Sequence, residues 1–115
     1  MSAKKTVAEF LVDYLRNEGV RYVFGIPGGQ PLTICNAIYN HDDIEFIAPR
    51  HENAAAHAAD AMGRLTGVPG VCLATTGPGA TNLITGVGGA LRDSSPVIVI
   101  TANNNRKDIL RDDAQ

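Results

Sequence analysis

The stretch "GVCLATTGPGATNLITGVGGALRDSSPVIVIT", Gly70 to Thr101, decides the fold. It opens on an apolar run, Gly70 to Thr75, too short for a helix and stopped by Thr76-Gly77-Pro78-Gly79. A helical segment follows, from Ala80 to Asp93. A second apolar run, Pro96 to Thr101, closes the stretch. Both runs are apolar on both faces, the mark of strands covered on both sides. A strand, a short turn, a helix and a strand make a βαβ unit, so the two strands are parallel and the crossover right-handed.

The same alternation runs upstream. Thr6-Val7-Ala8-Glu9 is a capping box, with a hydroxyl at the cap and a carboxylate three residues on. Val7, Phe10, Leu11, Tyr14 and Leu15 then form one apolar stripe at helical spacing, and Gly19 ends that helix. Val20 to Phe24 is predicted as the first strand and Gly25 to Gly29 as a loop. "PLTICNAIYN", Pro31 to Asn40, is a helix with proline in its first turn. Ile44 to Ala48 is the second strand, and a helix from His51 to Thr66 closes at Gly67. Strict alternation with short connections implies the α/β class: a three-layer sandwich with a mostly parallel sheet flanked by helices. Residues 1–115 suit a single domain. Asn103 to Gln115, "NNNRKDILRDDAQ", reads as a polar helical start with nothing after it, so the domain is expected to be C-terminally incomplete.

Composition narrows the function. Among 115 residues, 44% are hydrophobic and 19% charged, the formal net charge is -2, and aromatics make up 5% with no tryptophan. There is no basic stripe or stacking platform for nucleic acid. No apolar run is long enough to span a membrane, and "MSAKKTVAEF" lacks the apolar core of a secretory signal. Cys35 and Cys72 have neither zinc nor redox spacing and read as small buried hydrophobes in a reducing compartment. Cytoplasm is the default location.

An open parallel sheet presents ligands beyond the carboxyl ends of its strands. Those rims here are Gly25-Ile26-Pro27-Gly28-Gly29-Gln30, Pro49-Arg50-His51-Glu52, Thr76-Gly77-Pro78-Gly79 and Asn103-Asn104-Asn105. The glycine loops read either as plain tight βα turns or as places where backbone meets a flat ligand. No Walker sequence is present. Gly77-Pro78-Gly79-Ala80-Thr81-Asn82 approaches a dinucleotide fingerprint, but Asn82 stands where the third glycine belongs and no acid follows strand four, which disfavours a nucleotide-binding module. Glu52 has two readings. A carboxylate in the first turn of a helix gains from the macrodipole. A carboxylate in an apolar cleft beside two glycine loops loses hydration, so its pKa is expected to rise and let it share a proton near neutrality. His51 reads as a solvated neighbour, His57 as a core-satisfied histidine, and Arg50 as a positioning or ion-pairing residue. No nucleophile triad or metal cluster is visible. Two helices are small-sided: one carries Ala54, Ala55, Ala56, Ala58, Ala59, Ala61 and Gly63, the other Gly86, Gly88, Gly89 and Ala90. Glycine inside a helix costs about 1 kcal/mol. Its use implies close backbone approach, in a tight intrachain helix pair or a subunit interface.

"FGIPGG", "RHENAAAHAADAMGRLTG" and "TTGPGATNLITGVGGALRDSSPVIVIT" together resemble the N-terminal, pyrimidine-binding domain of thiamine-diphosphate-dependent enzymes, in particular the acetolactate synthase and 2-oxo-acid decarboxylase group. The likeness runs from about Thr6 to Thr101 in order and spacing and implies the thiamine-diphosphate-binding fold. It implies that Glu52 is the catalytic glutamate, which hydrogen-bonds N1′ of the cofactor's aminopyrimidine and favours its imino tautomer. Pro27 and Gly28 would face the reacting centre, with Gly29 and Gln30 toward substrate. Gly77, Pro78 and Gly79, and more distantly Asn82, would pack near the pyrimidine. The likeness further implies a 2-oxo acid substrate, a homodimer or tetramer that explains the small-sided helices, and magnesium and diphosphate bound by a separate pyrophosphate domain. It leaves flavin dependence, substrate, and lyase against transferase open. Asn53-Ala54-Ala55 stands where many relatives have Gln-Ala-Ala, and Ala61-Met62-Gly63-Arg64 where Gly-Tyr-Ala-Arg is usual. The Gly-Asp-Gly…Asn motif for magnesium is not in the chain. The rival expectation is a non-catalytic fragment that associates through its Ala/Gly helices.

Overall fold

The computed structural model describes residues 4–104 and Lys107. The helical start expected from Asn103 onward lies largely outside the described residues. Helix α1 (Val7–Asn17) begins at the expected capping box: the Thr6 hydroxyl accepts from the Glu9 N–H, and the Glu9 carboxylate accepts from the Thr6 N–H. Strand β1 (Tyr22–Gly25), helix α2 (Leu32–Tyr39), strand β2 (Glu45–Ile47), helix α3 (Glu52–Thr66) and strand β3 (Gly70–Ala74) follow. A short helix α4 (Pro78–Asn82), helix α5 (Ile84–Arg92) and strand β4 (Val97–Thr101) complete the described chain. Gly67 stops α3 in the left-handed region, φ 72°, where a side chain would be strained.

The first strand begins two residues later than expected and takes in Gly25. Gly25 must be glycine, because a Cβ there would sit 2.2 Å from the carbonyl oxygen of Leu73 on the next strand. Thr76-Gly77-Pro78-Gly79 is not all loop. Pro78 and Gly79 already form the first turn of α4, since proline at a first helical position gives up an N–H that has no intrahelical partner. The single helix expected after it is two, broken at Leu83.

The strands are all parallel, in the order β2-β1-β3-β4. The crossover β1-α2-β2 travels one way across the sheet, and β2-α3-β3 returns past β1. Right-handed crossovers running in opposite directions put their helices on opposite faces. Accordingly α1 and α2 pack with Val23, Val71 and Leu73 on one face. Helix α3 packs with Cys72, Ala74 and Leu83 on the other. The result is the expected three-layer sandwich. The reversal between β1 and β3 opens a crevice at their carboxyl ends, where such sheets bind ligands.

The fourth strand is the most apolar in sequence but is an edge among the described residues. Its residues are half-buried or exposed, and Val99 is 38% accessible. The apolar run marks a strand suited to cover on both sides. Its place in the order leaves one side without a neighbouring strand among the described residues.

Candidate functional site at the switch point

Glu52 is the first residue of α3, reached directly from the end of β2. His51 caps the helix, its Nδ1 accepting from the Asn53 N–H at 3.1 Å. That bond settles the backbone turn that carries Glu52 into the crevice. Glu52 is 9% exposed, one of two buried acids among the described residues.

Its electrostatics reverse the expectation. The carboxyl is held below the ordinary glutamate range, chiefly because the Asn82 amide donates to Oε2 at 2.9 Å. Burial pushes the other way but loses. The residue's own backbone N–H and nearby His51 add to the lowering. A donor at hydrogen-bond distance stabilises the anion more than the lost water destabilises it. A depressed folded pKa favours the fold above the usual glutamate range. That contribution is lost as pH falls through the lower folded value.

Asn82 thus serves Glu52. It sits at the last residue of α4, which the Pro78-Gly79 turn starts. A Cβ on Gly79 would lie 2.8 Å from Thr75 Cγ2 and 3.4 Å from Glu52 Oε1. One carboxylate oxygen therefore meets Asn82 while the other lies on the glycine side. Gly28 is comparably confined: a Cβ there would lie 2.8 Å from Thr75 Cβ. The crevice thereby brings together Glu52, Asn82, Gly79, Gly28 and Thr75. Gln30 joins through its Oε1, which accepts from the Thr75 hydroxyl at 2.7 Å.

Other expected residues stand apart. Pro27, Gly29, Gly77 and Pro78 are exposed on the rim. Gly77 has φ 62° and ψ -125°, a conformation that calls for glycine whatever the turn contacts. Arg50 is exposed. His57 is exposed on α3, not satisfied in the core, because the buried side of α3 runs through Ala55, Ala56, Ala59 and Asp60. Beside Glu52, Asn53 carries the one buried side-chain oxygen without a partner among the described residues.

The small-sided helices resolve into two kinds of glycine. Gly86 meets α3: a Cβ there would lie 2.5 Å from Ala56 Cβ. Gly63 lies under the Pro96 carbonyl, at 2.4 Å by the same test. Gly86 thus makes the tight intrachain helix pair of α3 and α5, and Gly63 seats α3 against the chain entering β4. Gly88 and Gly89 have nothing within 4 Å. Sequence reasoning missed the clamp behind this pair, where Arg64 donates to both oxygens of Asp60 at 2.8 and 2.9 Å and to Asp93 at 2.6 Å. Acid and base four apart on a helix, Asp60 and Arg64, were the available signal. Of the cysteines, Cys72 is buried and its thiol pushed up to about 11 by burial, whereas Cys35 is only half-buried.

Comparison with known proteins fits this geometry to a family. Residues 5–115 match the family described as thiamine pyrophosphate enzyme, N-terminal TPP binding domain. The chain belongs to that family. It is 52% identical over 94 residues to a probable acetolactate synthase large subunit of Methanocaldococcus jannaschii, which covers 82% of this chain and 16% of the relative. It is 50% identical over 97 residues to a mitochondrial acetolactate synthase of Schizosaccharomyces pombe, covering 84% and 14%. An acetolactate synthase large subunit of Haemophilus influenzae is 52% identical over 98 residues, covering 85% and 17%. The chain therefore spans about a sixth of the length of these relatives. No helix among the described residues is long and apolar enough to cross a membrane.

The crevice fits the group that the family's description names. A flat ring needs backbone without side chains and an acid at its edge. Here Gly28 and Gly79 both pack their backbone against the Thr75 side chain, and Glu52 Oε1 lies on the Gly79 side.

Proposed function

We propose that this chain is the pyrimidine-binding part of an acetolactate synthase-like enzyme that uses thiamine diphosphate to act on 2-oxo acids. The observation that carries the reading is one buried carboxylate at the switch point, with Oε2 tied to Asn82 and Oε1 beside Gly79. When bound, thiamine diphosphate supplies the electron sink that decarboxylation or carboligation of a 2-oxo acid requires.

Glu52 would hold the cofactor's aminopyrimidine at N1′ and would supply or take the proton there. In the chain as described, Asn82 keeps that carboxylate ionised and oriented. Glu52 Oε1, on the Gly79 side, would gain proton affinity against the pull of Asn82 once water is excluded from it. The two effects together suit a carboxylate that takes and returns a proton without moving. Gly28 and Gly79 would line the ring's place, with Pro27, Gly77 and Pro78 at the rim. Gly29 and Gln30 face the substrate side.

Magnesium and diphosphate need the Gly-Asp-Gly…Asn motif, which the 115 residues do not contain. In this reading another part of the protein, or another subunit, supplies it, and the working unit is a homodimer or tetramer. Exposed Ile84 and Leu91 on α5 suit such a contact.

The test is Glu52→Gln in the complete protein. Glutamine keeps the shape and the contact at Asn82 but cannot hold the proton. Turnover of a 2-oxo acid should fall by about 100-fold or more with the melting temperature within a few degrees of wild type. Near wild-type turnover would remove Glu52 from the chemistry.

A further inference from the structure

Thr75 is the residue after β3, and it touches both glycine turns and Gln30. Its hydroxyl donates to Gln30 Oε1 at 2.7 Å, and the Gln30 amide donates onward to Asn104 Oδ1 at 3.2 Å. Its Cβ and hydroxyl lie 2.8 and 3.0 Å from where a Gly28 Cβ would be. Its methyl lies 2.8 Å from where a Gly79 Cβ would be, the position that is also 3.4 Å from Glu52 Oε1. One side chain thus spans the crevice between the ends of β1 and β3, and through Gln30 reaches the end of β4.

We infer that Thr75 is a positioning residue with two separable arms: its hydroxyl fixes the Gln30 amide on the substrate side, and its methyl seats the Gly79 turn beneath Glu52 on the cofactor side. This rests on the proposed function for what Gln30 and Glu52 face. The hydroxyl arm matters because Gln30 is exposed. A free glutamine side chain there samples several rotamers and presents no fixed polar surface. Anchored at its oxygen by Thr75 and at its nitrogen by Asn104, the amide holds one orientation toward an incoming carboxylate or carbonyl. The methyl arm matters because Gly79 approaches Thr75 and Glu52 at once, so removing the methyl lets that turn settle and shifts the floor under the carboxylate.

Two substitutions take the arms apart. Thr75→Val keeps the methyl and the volume but removes the donor. Thr75→Ser keeps the donor and removes the methyl. Both are made in the complete protein. Pyruvate is the probe substrate, and hydrogen exchange is followed on peptides covering residues 25–32 and 77–84 without ligand. Thr75→Val should raise the KM for pyruvate about fivefold, the worth of one hydrogen bond, with kcat within about twofold. Exchange should quicken in 25–32 and not in 77–84. Thr75→Ser should leave KM in place, lower kcat and quicken exchange in 77–84. Loss of kcat in step in both variants, or wild-type exchange in 25–32 for Thr75→Val, would overturn the assignment. If the unaltered protein neither binds thiamine diphosphate nor turns over pyruvate, the functional reading fails by itself. The exchange comparison then decides alone whether Thr75 ties the turns.

Discussion

The two faces of the sheet are built from different materials. On one, Val12, Leu15, Ile38, Val71 and Leu73 interlock, and α1 and α2 stand off from the strands on branched side chains. On the other, Ala55, Ala56, Ala59, Cys72 and Ala74 leave almost nothing between α3 and β3. Adjacent residues of β3 make the contrast, since Leu73 points to the thick face and Cys72 and Ala74 to the thin one. On a thick face packing rests on atoms present, so its weakness is a cavity. On a thin face it rests on atoms absent, so its weakness is a clash. The site lies at the thin side, where α3 must run close to the sheet for Glu52, at its first residue, to reach the crevice.

Adding one carbon to the thin face should do the most harm. A Cβ on Gly70 would lie 1.8 Å from the Ala59 carbonyl oxygen, backbone against backbone, with no flexible side chain to yield. Gly70→Ala should cost at least about 3 kcal/mol, read by chemical denaturation. A loss under about 1 kcal/mol would mean that α3 can lift off the sheet, and the contrast between faces would lose its basis.

Removing carbons from the thick face comes next. Leu73 is fully buried among α1, α2 and β1 residues. Leu73→Ala should cost about 2–5 kcal/mol by the same measurement, through lost burial and a residual cavity.

The smallest effect has the opposite sign. Gly88 lies inside α5 with nothing within 4 Å, so the confinement of Gly86 does not apply to it. Gly88→Ala should stabilise the protein by about 0.5–1 kcal/mol through helix propensity. A destabilisation that deepens with dilution would instead place Gly88 in a subunit contact, sharpening the comparison into confined and interfacial glycines.

Much of the architecture was legible along the chain because its signals are local. The capping box at Thr6 and Glu9, the stop at Gly67 and the strand-turn-helix rhythm each fit within a few residues, where backbone sterics and hydrogen bonding act. Glu52 could be found by the same logic, as an acid at a strand's carboxyl end. The exposure of His57 was not legible. Its helix has small residues on several sides, and periodicity does not say which side meets the sheet. The helical turn at Pro78 was obscured because Gly-Pro-Gly reads as a turn unless the N1 preference of proline is given more weight.

By itself the sequence determined the order of elements, the parallel class and the presence of an acid on the rim. Tertiary structure alone decided what surrounds that acid. Asn82 reaches Glu52 across 30 residues, Thr75 reaches Gln30 across 45, and Gln30 reaches Asn104 across 74. Among the described residues it also set β4 at the edge despite its apolar run, and assigned Gly86 to α3 while leaving Gly88 open. The physical reason is range. Helix and strand preferences are fixed by neighbours in sequence, whereas a carboxylate's pKa and a glycine's necessity depend on which atoms arrive from elsewhere. Desolvation alone would have raised the pKa of Glu52, and the amide brought to it by the fold lowered it instead.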